Sequence, residues 1–162
     1  MPSKPAAEPF NEALKLAYIM RGSILNEVAL LEVMIDIFIA THFCANHRER
    51  KDFLTMVLPS NVVIFENKRA IFKKLIEKYY PSFKAKMPNY HAFLETVRDY
   101  RNKFAHYTLN ITPKAIEVMV KTNRIVLLDN TKKSITFTFS EISDLIEAIK
   151  KMSGEVAKAV PK

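Results

Sequence analysis

Arg98-Asp99-Tyr100-Arg101-Asn102-Lys103-Phe104-Ala105-His106-Tyr107 divides this chain of 162 residues. Upstream of it, apolar residues recur at spacings of three, four and seven, the period of amphipathic helices. Downstream of Asn110 they are β-branched and alternate, the period of strands. The stretch itself closes a helical pattern and gathers two arginines, an asparagine and a histidine within ten residues. Its reading sets the expected fold: helices first, then a small sheet, then a closing helix.

Working back from it, the helix that carries the stretch spans about 89–106, and a loop with Pro88 leads into it. Phe65, Ile71, Phe72, Leu75, Ile76 and Tyr79 form the stripe of the preceding helix, 65–80. Lys68, Arg69, Lys73, Lys74 and Lys78 surround that stripe, and Pro81 ends it. A short apolar helix over 53–58 stops at Pro59-Ser60-Asn61. The mixed-charge run that holds His42, His47, Arg48, Glu49, Arg50, Lys51 and Asp52 reads as a helix end and loop. From Phe10 to Cys44, the residues Leu14, Tyr18, Leu25, Val28, Leu31, Ile35 and Ile39 keep one helical period. Unbroken, that helix would reach roughly 50 Å, with Gly22-Ser23 a place to bend or break it. Glu32 and Asp36 share a face beside its stripe, which makes them solvated, ion-paired or turned to a polar cleft. Residues 1–9, with Pro2, Pro5 and Pro9 among small residues, read as a flexible leader.

Working forward, residues 115–121 (AIEVMVK), 124–128 (RIVLL) and 134–139 (SITFTF) alternate as short strands. Thr122-Asn123 and Asp129-Asn130-Thr131 supply the turns. Thr138-Phe139-Ser140-Glu141 is a capping box, and Ile142, Leu145, Ile146, Ile149 and Met152 form the stripe of a final helix over 140–158. The expected fold class is mainly α: a four-helix bundle over 10–110, an antiparallel β-meander over 113–139 packed on it, and the final helix. Residues 10–162 are expected to form a single domain.

Composition narrows the function classes. Only Gly22 and Gly154 occur, which argues against Gly-rich phosphate loops. Cys44 is the only cysteine, so neither an internal disulfide nor a thiolate zinc site is expected. His42 and His47 are five apart, a poor spacing for joint metal binding on one helix face. No metal and no cofactor is expected. The apolar runs are broken by Glu27, Glu32 and Asp36, and no signal-peptide pattern is read, so the expectation is a cytoplasmic protein without membrane partners. The net charge of +8 favours a polyanionic partner, RNA, DNA or an acidic protein, without choosing among them.

On a helical wheel, Phe93, Val97, Tyr100 and Phe104 fall on one side as the packing face. His91, Glu95, Arg98, Asn102 and His106 form a polar row on the opposite side. Arg101 is off that row, beside Leu94, Val97 and Ala105. Five residues separate it from His106, or about 140° on a regular helix. The two do not easily meet on one straight helix; they can meet if the helix ends near Ala105 or if a second copy of the chain supplies the partner group. Arginine offers a fixed fork of donors for phosphate oxygens, and histidine moves a proton near neutral pH. Together they suffice for metal-free RNA cleavage, in which the ribose 2′-OH attacks the adjacent phosphate.

Arg101-Asn102-Lys103-Phe104-Ala105-His106 resembles the signature of the HEPN superfamily, an Arg, a polar residue and a His after a short gap. The helices before it also resemble that family's bundle, so the likeness covers roughly 10–110. The resemblance implies a metal-independent endoribonuclease, a toxin or phage-defence effector, acting as a homodimer whose two motifs line one cleft. Arg101 and His106 would be the catalytic pair, with Asn102 positioning or supporting them. Arg98, which shares the polar row with Asn102 and His106, and Lys103 are read from the residues themselves as supporting or RNA-binding cations. An antitoxin or effector protein is a further implied partner. One subgroup carries a modified Tyr two residues after the His; here Thr108 stands there and Tyr107 follows His106 directly. The resemblance also allows a non-catalytic module that binds RNA, nucleotide or a protein partner.

Overall fold

The computed structural model describes residues 7–59 and 63–160. Residues 1–6 of the expected leader and Ser60 and Asn61 of the expected stop lie outside the described residues. The elements run α1 (Ala7–Phe43), α2 (His47–Asp52), a π-helical segment (Phe53–Val57), α3 (Phe65–Tyr79), α4 (Pro81–Lys86), α5 (Tyr90–His106), β1 (Thr108–Leu109), α6 (Pro113–Thr122), β2 (Arg124–Leu128), β3 (Ser134–Thr138) and α7 (Phe139–Ala159). The chain is mainly helical, with a small three-stranded antiparallel sheet and a C-terminal helix. Among the described residues, no helix is long and apolar enough to cross a membrane.

Several local expectations are corrected. The helix begins at Ala7, so residues 7–9 are not part of a leader, and α1 passes through Gly22-Ser23 without a break. The charged run 47–52 is itself helical because Asn46 caps it, its Oδ1 accepting from the Glu49 N–H at 3.0 Å. Pro81 both follows one helix and opens the next, since its missing N–H costs nothing in a first turn. The largest correction is 115–121, which is the helix α6 and not a strand. Its buried residues Ala115, Ile116 and Met119 follow helical spacing. Thr112 caps it by accepting from the Ala115 N–H, Pro113 sits in its first turn, and Asn123 closes it in the left-handed region at φ 50°. The third strand of the sheet is instead β1.

The described residues form two compact units, one of residues up to Glu27 with Tyr100–Ala148, the other of Val28–Asp99 with residues from Ile149 onward. The first contains the sheet, in the order β1-β2-β3. Thr108 pairs with Leu128, and Ile125 pairs with Phe137. The β2–β3 turn is tied by Asp129, whose Oδ1 accepts from the Thr131 and Lys133 N–H groups at 2.8 Å. Ile125, Leu127 and Phe137 are buried. The Phe137 ring lies 5.1 Å from Phe104 and 5.4 Å from Tyr100. The capping box forms as read: Thr138 N–H donates to Glu141 Oε2 at 2.7 Å, and Glu141 N–H donates back to Thr138 Oγ1 at 3.1 Å.

The second unit packs around Phe72, with the Phe38, Phe83 and Tyr90 rings at 5.0, 5.7 and 6.0 Å. Beside this core, Lys68 is buried and donates to Glu32 Oε1 at 2.9 Å and Asp36 Oδ2 at 2.8 Å. Thus the i,i+4 carboxylates of α1 are ion-paired, and the lysine they hold is not on the solvated rim of α3. Burial works against the Lys68 ammonium, but its hydrogen bonds to Asp36 and Glu32 outweigh this and hold its pKa above the lysine range. The trio carries one surplus negative charge. Burial accordingly pushes Asp36 up despite the Lys68 hydrogen bond, with Glu32 adding to the rise.

Removing Lys68 leaves two partly buried carboxylates facing each other. Lys68→Met is expected to destabilise the protein by about 3–5 kcal/mol near neutral pH. Without the ammonium, Asp36 protonates still more readily in the folded state. The penalty is therefore present above that raised pKa and shrinks as pH falls through it. Urea denaturation of both proteins near neutrality and near pH 4.5, roughly the upper carboxylate range, checks this; an equal loss at both values contradicts it.

Candidate functional site

The motif helix α5 stays regular to its last residue. The Tyr107 N–H donates to the Lys103 carbonyl at 2.9 Å, so the final turn is closed as an α-turn. It is also tied from α1: Arg21 Nη2 donates to the Ala105 carbonyl at 3.2 Å. Ala105 lies in the last turn, where carbonyls have no helical donor and the helix dipole favours a cation. The next pairing, Thr108 with Leu128, starts two residues after His106.

This regularity decides how Arg101 and His106 relate. The helix ends at His106, one residue past Ala105, and His106 itself is still helical. Within one chain the two positions are therefore about 140° apart around the axis. Both side chains are exposed. Arg101 Nη1 donates to Asn102 Oδ1 at 3.4 Å. The His106 side chain makes no hydrogen bond or ion pair among the described residues. Arg101 lies within about 20° of Leu94 and about 40° of Val97 on the wheel, and both of those residues are fully buried. An arginine thus stands exposed in line with the apolar stripe.

Lys103 lies over aromatic rings, its Nζ 5.6 Å from the Tyr100 centroid and 6.0 Å from that of Phe137. The rings orient its stem and leave the ammonium without a carboxylate partner among the described residues. Tyr100 is packed against Phe137, and burial pushes its phenol above the ordinary range, with Glu141 adding to it.

Arg98, in the second unit, is differently placed. It donates to Glu66 Oε2 at 2.9 Å and Asp99 Oδ1 at 2.8 Å, and Glu95 Oε1 is 3.7 Å away. Hydrogen bonds to Glu66 and then Asp99 hold its proton even more firmly than usual. The Arg98 hydrogen bond in turn holds Glu66 below the carboxylate range, aided by the charge of Arg69. Arg98 is a carboxylate-bound cation tying α5 to α3. Among the described residues, no three of His, Cys, Asp and Glu come together as a metal-ligand set. His42 shares a hydrogen bond with the Tyr80 hydroxyl at 2.9 Å.

Reading the sequence missed Arg21. Its one visible signal is a lone cation within a long apolar stretch of α1, immediately before Gly22-Ser23. Replacing it with Met leaves the Ala105 carbonyl without its donor, an expected cost of about 1–3 kcal/mol. Hydrogen exchange in Arg21→Met should speed up at the amides of the last α5 turn while β2 and β3 keep their protection. Uniform loss of protection across the unit contradicts a local tie.

Comparison with protein-family models, curated proteins and solved structures gives no match to this chain.

Proposed function

We propose that this chain is a metal-independent endoribonuclease of the HEPN type, working as a homodimer. The observation that carries the reading is the exposed Arg101 in line with the apolar stripe of α5, on a helix whose last residue is an exposed, unbonded histidine. An arginine at that position meets a second surface at little cost, because its flat guanidinium is weakly hydrated and forks two donors toward phosphate.

The proposed step needs only protein groups. His106 takes the proton of the ribose 2′-OH, the 2′ oxygen forms a bond to the adjacent phosphorus, and the P–O5′ bond breaks. The 5′ oxygen leaves as a hydroxyl by taking that proton back from the His106 imidazolium, giving a 2′,3′-cyclic phosphate. Arg101 binds the non-bridging oxygens and stabilises charge as it builds. The 140° separation favours pairing Arg101 of one copy with His106 of the other across a two-fold axis. Asn102 orients the guanidinium that already donates to it. Lys103 contributes a positive charge near the RNA backbone. The carboxylates on Arg98 favour a scaffold role for it over a phosphate contact. The alternative is a non-catalytic module that holds RNA through the same basic end.

Total RNA incubated with the protein in EDTA tests this. Cleavage leaving cyclic phosphate ends is expected, and His106→Ala and Arg101→Ala should each lower it by about 100-fold or more. The shared site has its own signature. Mixing the two inactive variants and letting subunits exchange should restore about a quarter of the activity, since half the dimers are mixed and each holds one intact pair. Undiminished cleavage in both variants removes the site assignment. No cleavage with RNA retained selects the binding module.

A further inference from the structure

The second unit carries an aromatic row that the proposed cleavage does not use. It starts in the core, where Phe72 packs edge-on against Phe38 at 5.0 Å and Phe38 meets Tyr80 at 4.7 Å. Tyr80 then fixes His42 through the 2.9 Å hydrogen bond. His42 in turn is flanked by Phe43 at 5.0 Å, nearly perpendicular, and by Tyr79 at 4.8 Å. The last two rings are open to solvent, Phe43 at 59% and Tyr79 at 51% exposure. They are the final residues of α1 and α3, so two helix ends present them together.

The surroundings are basic. Lys78 Nζ sits 4.9 Å from the Tyr79 ring centroid. Residues 41–48 hold no carboxylate, and residues 73–84 hold one, Glu77, which pairs with Lys73 at 3.8 Å. Lys74, Lys78 and Lys84 have no carboxylate partner among the described residues. Exposed rings backed by core aromatics, with the Lys78 ammonium beside them, match the two needs of an unpaired nucleotide: a flat apolar face for the base and a cation for the phosphate. The Lys78 ammonium at the ring also sets this patch apart from an ordinary apolar protein contact.

We propose that Phe43, His42 and Tyr79, with Lys78 beside them, form a stacking platform for the unpaired bases of single-stranded RNA. The site belongs to helix ends other than that of α5. It concerns how RNA is held and is independent of whether the chain cleaves it.

The test uses the full chain carrying His106→Ala, in EDTA, with a 5′-labelled single-stranded oligoadenosine containing 2-aminopurine and a duplex RNA of equal length. Phe43→Ala and Tyr79→Ala are each expected to weaken single-strand binding about tenfold, the size of one lost base stack. They should also reduce the 2-aminopurine quenching. Tyr79→Phe and Phe43→Tyr should restore both signals, and duplex affinity should change less than about twofold, because a paired base offers no free face. Because both rings are exposed, these changes leave the core packing in place, and circular dichroism melting confirms this. Single-strand affinity and quenching unchanged in both alanine variants overturn the proposal. So does a parent protein that binds no single strand, which instead assigns the patch to a protein partner. Cleavage plays no part in either readout, so failure of the nuclease reading leaves this result standing.

Discussion

The hydrogen-bond ladder of α5 is the constraint on which the candidate site depends. It holds to the last turn, where the Lys103 carbonyl receives the Tyr107 N–H and the Ala105 carbonyl receives Arg21. A frayed or 3₁₀-wound end would let His106 swing toward Arg101. The regular one does not. Within one chain, Arg101 and His106 stand about 140° apart around the helix axis. The proposed homodimer rests on that separation.

Charge placement sharpens which cations are available to a polyanion. The chain has 25 lysines and arginines against 17 acidic residues, but this surplus does not translate directly into a binding surface. Lys68 is spent inside on Glu32 and Asp36, and Arg69 is buried beside it with an ion pair to Glu66. Arg98 is held by a cluster of carboxylates. Arg101 and Lys103 near the end of α5, and Lys78 at the Tyr79 ring, are among the cations without a carboxylate partner among the described residues. The two regions offer different chemistry. The first has cations on the same helix end as His106, and the second has a cation beside flat apolar faces.

Much of the fold was legible because periodicity is a direct imprint of packing. The stripes of α3, α5 and α7, the β2–β3 hairpin and the Thr138–Glu141 capping box all follow from residue spacing. Residues 115–121 were not legible in that way. Ile116, Val118 and Val120 alternate, so a strand template fits seven residues as well as a helical one; Thr112-Pro113 before them and Asn123 after them are what decide for a helix. The site was legible as a motif and as a wheel position. Its supports were not. Arg21 lies 84 positions from Ala105, and no local period reports so distant a contact. Lys68 likewise looks like any solvated lysine of a charged helix, and only the placement of Glu32 and Asp36 on α1 makes its burial tolerable.

The sheet acquires a role from these contacts that its small size alone would not indicate. Two strands of five residues and one of two are marginal by themselves. Phe137, from the edge strand β3, packs under Tyr100 and Phe104, the two aromatics that bracket Arg101, Asn102 and Lys103. On the other edge, Thr108 joins β2 after only Tyr107 has separated it from His106. The motif is consequently held from beneath by one strand and from its end by another. A base and a phosphate ligand gain rate from fixed geometry more than from mobility. A helix tip left to itself frays, because its last carbonyls have no donors. The three strands, with Arg21, remove that freedom at the turn where the chemistry is proposed to occur.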